Sequence, residues 1–438
     1  MFELYEHQKQ ILNLMRIYPS YGIFAEQGCG KTLPTLVRIA ELLNAGQITD
    51  ALIVAPKSVL GSWQRDIELF DDSSKSLLYS KLCIVSYDLV WRRTEYRKHW
   101  GCIILDEAHK IKNRNSKRSK CLLEMALDSD YRYILTGTPI ANGQLENLWS
   151  EFAFLQPMKV RGRIHSRIWG GSYADWCKDY ALLNQWYQPY KYVNVGKIQD
   201  VMNSHSYRIT KAECLDLPDK LPDEIYDIEL KAKKPYKEMA KESTIVDLDI
   251  LAGNSLSRML HLRQLASGFV TDDEKNIHEF ETEKISVLKE FLEDWNKKLV
   301  IFAEFKYSVK QISILLDKMK IKYVVLNGDT KDKSIWKKFQ NDPKIQVIVC
   351  QYQSGNAGID LFAADTILYY EPTLSSNILE QSKDRIHRIG QKSKCSYIHF
   401  ITKGTVETAI YRALSNFKDF NEKLFNEYID DYTKGKKA

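Results

Sequence analysis

YGIFAEQGCGKTLPTLVRIAELLN, residues 21–44, decides how the chain is read. Five β-rich residues (YGIFA, 21–25) run into a glycine turn, EQGCGKT, and an amphipathic helical pattern begins at Lys31. Gly28 and Gly30 let the backbone turn tightly, so the N–H groups around Cys29 and at the helix N-terminus can point at phosphate oxygens. Lys31 then reaches the β and γ phosphates, and the Thr32 hydroxyl ligates Mg²⁺. Pro34 is tolerated because the first helical turn needs no intrahelical donor there. The pattern G-x-x-x-x-G-K-[ST] has Ala25 in place of its first glycine, a change away from the phosphate-facing positions. The bland alternative is a plain glycine turn before a helix. An intact Gly-Lys-Thr between strand and helix favours a nucleoside triphosphate held by Gly28, Cys29, Gly30, Lys31 and Thr32.

Outward from this turn, short β-rich runs alternate with amphipathic stretches. ALIVA (51–55), LCIVS (82–86), CIIL (102–105) and YRYIL (131–135) continue the first series. A second series runs through LVIFAEF (299–305), KYVVLNG (322–328), IQVIVCQ (345–351), DTILYY (365–370) and SYIHFI (396–401). Apolar strands separated by helices imply an α/β chain with parallel sheets covered on both faces. The residues between the two series lack this rhythm and are expected to be helical, and DYTKGKKA (431–438) reads as a polar tail. The 438 residues suffice for two to three domains, and 44% apolar with 27% charged residues excludes global disorder. Eight cysteines without a C-x-x-C pair fit neither a disulfide framework nor a zinc module, which implies a reducing interior. No apolar run approaches the ~18 residues of a membrane span. MFELYEHQKQ carries Glu3 and Glu6 where an export signal carries cations, so a cytoplasmic protein is expected.

Hydrolysis requires a second group for the metal and one for the attacking water, both expected at the end of a neighbouring strand. CIIL-Asp106-Glu107-Ala108-His109 supplies them: Asp106 to hold Mg²⁺ and Glu107 to orient or deprotonate the water. An acidic pair after a strand is more often a helix cap; beside a phosphate loop it gains weight. Arg385 and Arg388, three apart on an expected helix, are candidates to stabilise charge on the γ oxygens. Lys110, Lys112, Arg114, Lys117 and Arg118 follow the acidic box as a run of cations without an acid, fit to touch phosphates without reading bases. A solvated face is the alternative. From Trp169 to Tyr192 aromatics interleave with cations; most are expected in a small core, with the basic residues 159–167 the better contacts.

The constellation resembles the superfamily-two helicases, and within them the Swi/Snf-type ATPases, in compact bacterial or viral form. LYEHQ (4–8), APKSVLGSW (55–63), IVSYD (84–88), LDEAH (105–109) and LTGTPIANG (135–143) look like first-lobe motifs. YRITKAECLDLPDKLP (207–222), LHLRQLASG (260–268), LNGDT (326–330), QSGNAGIDLFAAD (353–365) and QSKDRIHRIGQ (381–391) continue the order, the last being the most specific. Departures are Ile209, Ser354-Gly355-Asn356, Leu374 and Ser376. The resemblance implies two RecA-like doubly wound lobes, at 1–157 and 276–425, with helical insertions and a connection at 158–275 and a polar tail at 426–438. It implies that Gln8 reads adenine, that Gly358 and Asp360 join the ATP site, that Thr136, Thr138 and Gln381 carry coupling, and that Lys57 joins the nucleic-acid contacts. ATP and Mg²⁺ are the implied cofactors, and double-stranded DNA is the implied partner of a monomeric, DNA-stimulated translocase, targeted by its insertions or by another protein. The alternatives are a strand-separating DNA or RNA helicase and a nucleotide-switched nucleic-acid-binding protein.

Overall fold

The computed structural model describes residues 2–140, 143–332, 334–355 and 359–435. They form two compact units, Met1–Asp216 and Leu217–Ala438, each built on a six-stranded sheet. In the first unit β1 (Ser20–Ala25), β2 (Ala51–Ala55), β3 (Leu82–Ser86), β4 (Cys102–Asp106) and β5 (Tyr131–Leu135) fall on the apolar runs. Beyond them come two hairpins, β6 (Pro157–Val160) with β7 (Arg163–Ser166) and β8 (Ala181–Leu183) with β9 (Pro189–Tyr192), then β10 (Ser206–Ile209). The sheet order is β10-β1-β5-β4-β2-β3, every pairing parallel.

Successive residues of a strand point to opposite faces, and here both faces are covered. Leu52, Val54, Ile103, Leu105 and Ile134 enter one apolar cluster, while Ile53, Ile104, Tyr133 and Leu135 enter another on the reverse face. That is why the strands read as continuous apolar runs rather than alternating ones.

The second unit repeats the plan. It begins with β11 (Glu224–Ile228), passes two short hairpins, β12 (Thr244–Ile245) with β13 (Ile250–Leu251) and β14 (Phe269–Thr271) with β15 (Ile277–Glu279), and continues through β16 (Leu299–Ala303), β17 (Tyr323–Leu326), β18 (Val347–Gln351), β19 (Thr366–Tyr369) and β20 (Ser396–Thr402). The order is β11-β20-β19-β16-β18-β17, again parallel throughout. Val300, Phe302, Ile348 and Cys350 face one cluster, and Leu299, Ile301, Val347 and Val349 the other. Among the described residues no helix is long and apolar enough to cross a membrane.

Three expectations are corrected. Residues 158–275 are not simply helical: they contribute hairpins and the edge strands β10 and β11, which complete the two sheets. Both are short, and β11 is exposed along most of its length, so neither carries the apolar signature of a central strand. The tail expected from 426 is helical through Thr433, because helix Glu422–Thr433 buries Phe425, Tyr428 and Ile429 and the Tyr428 hydroxyl lies 2.9 Å from that of Tyr236. Third, the acidic strand does not neighbour the phosphate-loop strand, since β5 lies between β1 and β4.

Inside the second unit Lys284 and Glu407 are buried together. The Lys284 ammonium donates to Glu407 Oε1 at 2.6 Å and to the Tyr370 carbonyl at 3.0 Å, and Glu407 Oε2 accepts from the Thr402 N–H at 2.8 Å. Removing one partner of such a pair strands a charge in the core, at a cost of about 3–5 kcal/mol. Lys284→Ala should therefore lower the urea midpoint of the second unit steeply, and Lys284→Met with Glu407→Leu should recover most of the loss in the same unfolding experiment.

Candidate active site

The first unit gathers its chemistry where β1, β5 and β4 end. After β1 the backbone swings through Gly28 and Gly30, whose φ values of +87° and +70° lie in the left-handed region that glycine enters freely, and helix Thr32–Asn44 follows. Two side chains from helix Glu6–Ile17 brace the turn. Gln8 Nε2 donates to the Gly30 carbonyl at 2.9 Å while its Oε1 accepts from the Tyr5 N–H, and His7 Nε2 lies 2.8 Å from the Cys29 carbonyl. Gln8 is thus buried against the phosphate loop, an engagement the sequence reading did not include. Lys31 folds over the same turn, its ammonium donating to the Ala25 carbonyl at 2.7 Å.

At the end of β4, Asp106 and Glu107 are consecutive carboxylates. Glu107 has φ +55°, an uncommon conformation for a side chain of its size that turns the chain away from the strand. Each acid has its own partners. Asp106 Oδ2 accepts from Trp63 Nε1 at 2.8 Å, and the Asp106 carbonyl accepts from the Tyr87 hydroxyl at 2.9 Å. Glu107 Oε1 accepts from Gln27 Nε2, a phosphate-loop side chain, at 3.1 Å, and its Oε2 lies 3.3 Å from His109 Nδ1.

These partners split the pair. Burial, followed by the neighbouring Glu107 charge, pushes the Asp106 carboxyl up to about 6 against the pull of Lys31 and the Trp63 hydrogen bond. Burial also raises Glu107, but the neighbouring His109 ring and the cations Lys31 and Lys110 outweigh it and hold the group below its ordinary value. Glu107 is therefore the acid kept ionised and fit to accept a proton, while Asp106 gains most from an added cation. Thr136 stands between the two halves: its N–H donates to the Ile23 carbonyl at 3.1 Å, and its hydroxyl accepts from the Thr138 N–H at 3.1 Å and lies 3.5 Å from His109 Nδ1.

Gln27, Trp63, Tyr87 and His109 are the working side chains not singled out in the sequence. All four lie inside or beside quoted motifs, so spacing located the segments without saying which member faced the acids.

In the second unit the arginine pair departs from expectation. Helix Ser376–Lys383 ends before Arg385, and both arginines lie in the turns that follow. The local sequence would continue a helix, but long-range hydrogen bonds capture the turn. Gln391 Nε2 donates to the carbonyls of Ala364 at 2.8 Å and Ile386 at 3.1 Å, and His387 Nε2 lies 2.9 Å from the Pro218 carbonyl. Arg388 forms an ion pair with Asp360, so two residues chosen separately are brought together. Arg385 is buried, and its carbonyl accepts from the Leu361 N–H at 2.9 Å. Gln381 lies on the preceding helix, its amide 3.3 Å from Asn377 Oδ1, and Gly358 lies outside the described residues.

Of the nucleic-acid candidates, Lys57, Lys110, Lys112 and Lys117 are exposed, Arg118 is half-buried, and Arg114 lies 3.4 Å over the Tyr173 ring. The aromatic segment divides. Trp169 and Trp176 are buried, whereas Trp186, Tyr187 and Tyr190 stand exposed on and beside the β8–β9 turn.

Residues 72–267 match the SNF2-related domain and residues 283–390 the helicase conserved C-terminal domain. The first match begins beyond the phosphate loop, so that loop rests on its own residues and geometry. The chain is 26% identical to YwqA of Bacillus subtilis, which bears the name of an ATP-dependent helicase/translocase, over 95% of this chain and 48% of the relative. It is 25% identical to the ISWI chromatin-remodeling complex ATPase CHR17 of Arabidopsis thaliana, over 93% of this chain and 41% of the relative. The chain thus spans about half or less of the length of these relatives. The Sulfolobus solfataricus SWI2/SNF2 ATPase core solved with dsDNA aligns over 99% of this chain and 96% of its own at 24% identity, with a TM-score of 0.44.

The bracing of the loop yields a paired prediction. A Cβ at Gly30 would both occupy φ +70° and collide with the Gln8 amide, whereas Gly143, at φ +68°, faces open space. Gly30→Ala should abolish triphosphate binding in a fluorescent-nucleotide titration, and Gly143→Ala should leave it intact at a stability cost of about 1 kcal/mol.

Proposed function

From the matches of residues 72–267 to the SNF2-related domain and of 283–390 to the helicase conserved C-terminal domain, we propose that the chain is an SNF2-type motor that hydrolyses ATP on its first unit and uses the cycle to move along double-stranded DNA. The observation that carries the reading is the Gln27–Glu107 hydrogen bond, 3.1 Å long, which sets a phosphate-loop side chain against the acid kept ionised. A γ-phosphate cradled by Lys31 and the loop N–H groups would lie beside the carboxylate that takes the proton of the attacking water.

Mg²⁺ fits the residues present. Asp106 and the Thr32 hydroxyl are hard oxygen donors of the kind it prefers, and a half-buried carboxyl pushed up to about 6 is one that a cation would stabilise. When bound, the metal would neutralise phosphate charge; Trp63 holds the carboxylate in place, and Glu107 holds the water. We assign Arg385 and Arg388, from the second unit, the task of balancing charge on the transferred group, with Gln8, Gly28, Cys29, Gly30 and Asp360 in the nucleotide site and Thr136, Thr138 and Gln381 in coupling. The exposed cations Lys57, Lys110, Lys112 and Lys117 supply sequence-independent phosphate contacts. The names of relatives, an ATP-dependent helicase/translocase and a chromatin-remodeling complex ATPase, support an ATP-driven translocating motor.

Three measurements test this. ATP turnover of the purified chain should rise with added duplex DNA more than with single-stranded DNA or RNA, and a rate indifferent to duplex at low salt would end the translocase reading. Glu107→Gln should cut turnover about 10²- to 10⁴-fold with ATP affinity preserved. Arg388→Ala should lower kcat by roughly 10³-fold without loss of ATP binding in equilibrium titration.

A further inference from the structure

Cys29 and Cys214 are separated by 185 residues, yet their Sγ atoms lie 3.6 Å apart. Cys29 sits between the two left-handed glycines of the phosphate loop and is fully buried; Cys214 closes the short helix Lys211–Cys214 and is half-buried. The two segments are joined on three counts. β1 and β10 pair in parallel from Gly22–Ser206 to Ala25–Ile209, the Glu26 N–H donates to the Ile209 carbonyl at 2.9 Å, and the Glu26 carboxylate accepts from the Lys211 N–H at 2.9 Å. The thiols therefore face each other as part of the fold rather than by a chance meeting of mobile loops.

We propose that Cys29 and Cys214 form a reversible oxidative modification site, in which a hydroperoxide converts the pair into a disulfide that locks the phosphate loop to the segment following β10. The half-buried Cys214 sulfur, the less enclosed of the two, attacks the hydroperoxide, the O–O bond breaks, and a sulfenic acid and an alcohol (water, for hydrogen peroxide) result. The Cys29 sulfur then attacks that sulfenic sulfur; the S–S bond forms, the S–O bond breaks, and water leaves with the thiol proton. Two thiols have lost two electrons to one hydroperoxide. A dithiol reverses the step by exchange.

Closing the gap to the ~2.05 Å of an S–S bond requires more than an ångström of movement. Cys214 ends a helix capped by the Thr210–Glu213 box, whereas Cys29 is flanked by Gly28 and Gly30, so the loop is the part able to yield. Drawing Cys29 aside disturbs its carbonyl contact with His7 and the N–H groups on either side, which are the phosphate ligands. Burial, with the Cys214 thiol beside it, pushes the Cys29 thiol up to about 12, so the pair stays reduced without a strong oxidant. The effect on turnover rests on the ATPase reading, but the disulfide does not, and peptide mapping separates the two.

The full chain is treated with hydrogen peroxide, quenched, alkylated and digested, and its ATP turnover is followed in parallel. The expected result is a linked peptide pair containing Cys29 and Cys214, a loss of turnover of at least tenfold, and recovery of both after dithiothreitol. Cys214→Ser should keep the untreated rate and lose the oxidant sensitivity. Absence of the linked peptide after oxidation of other cysteines overturns the site. A Cys214→Ser chain inactivated to the same extent, and as reversibly, as the parent overturns the locking role. A linked peptide in a chain without turnover upholds the disulfide and fails the ATPase reading instead.

Discussion

Asp106 and Glu107 set two carboxylates on consecutive, half-buried residues at the end of one strand, and the charge of the second raises the carboxyl of the first. The surrounding structure meets that repulsion by treating the two unequally. Trp63 supplies one neutral donor to Asp106; Gln27, His109 and the nearby lysines serve Glu107. Because these partners come from the phosphate loop, from the helix after β2 and from the turn after β4, the acid pair fixes where those segments stand relative to one another. The left-handed backbone of Glu107 follows from the same need, since it aims the two side chains at different neighbours.

The second unit solves an analogous problem without secondary structure. Its arginines are carried by turns tied down through their own side chains, Gln391 donating to the carbonyls of Ala364 and Ile386 and His387 Nε2 lying beside the Pro218 carbonyl, rather than by a helical ladder. A helix would set Arg385 and Arg388 on one regular face. The turn instead leaves Arg385 buried against the Leu361 backbone and Arg388 paired with Asp360. Long-range hydrogen bonds have overridden local propensity, which is common where side-chain direction matters more than backbone regularity.

This contrast explains what could be read from the residues alone. The central strands were legible to within a residue or two, because burial on both faces forces runs such as ALIVA and LVIFA to be wholly apolar. The phosphate loop and the acid pair were legible because their chemistry demands fixed residue types at fixed spacing. The edge strands β10 and β11 were not, since an edge exposes half its surface and needs no such run. Nor were Gln27 and Trp63: any polar residue fits a loop and any aromatic a helix, and only the fold shows that both point at the acids. Proximity across 185 residues, as for Cys29 and Cys214, leaves no trace in spacing at all.

The intervening position of β5 has a dimensional consequence. Neighbouring strands stand about 4.8 Å apart, so one inserted strand separates the ends of β1 and β4 by roughly 9.6 Å. Without it, the lysine of the loop and the aspartate of the acidic strand would meet as a closed ion pair and neutralise each other. With it, Thr136, the first residue past β5, stands between the two strand ends, its N–H held by the Ile23 carbonyl of β1 and its hydroxyl 3.5 Å from the His109 ring beyond β4.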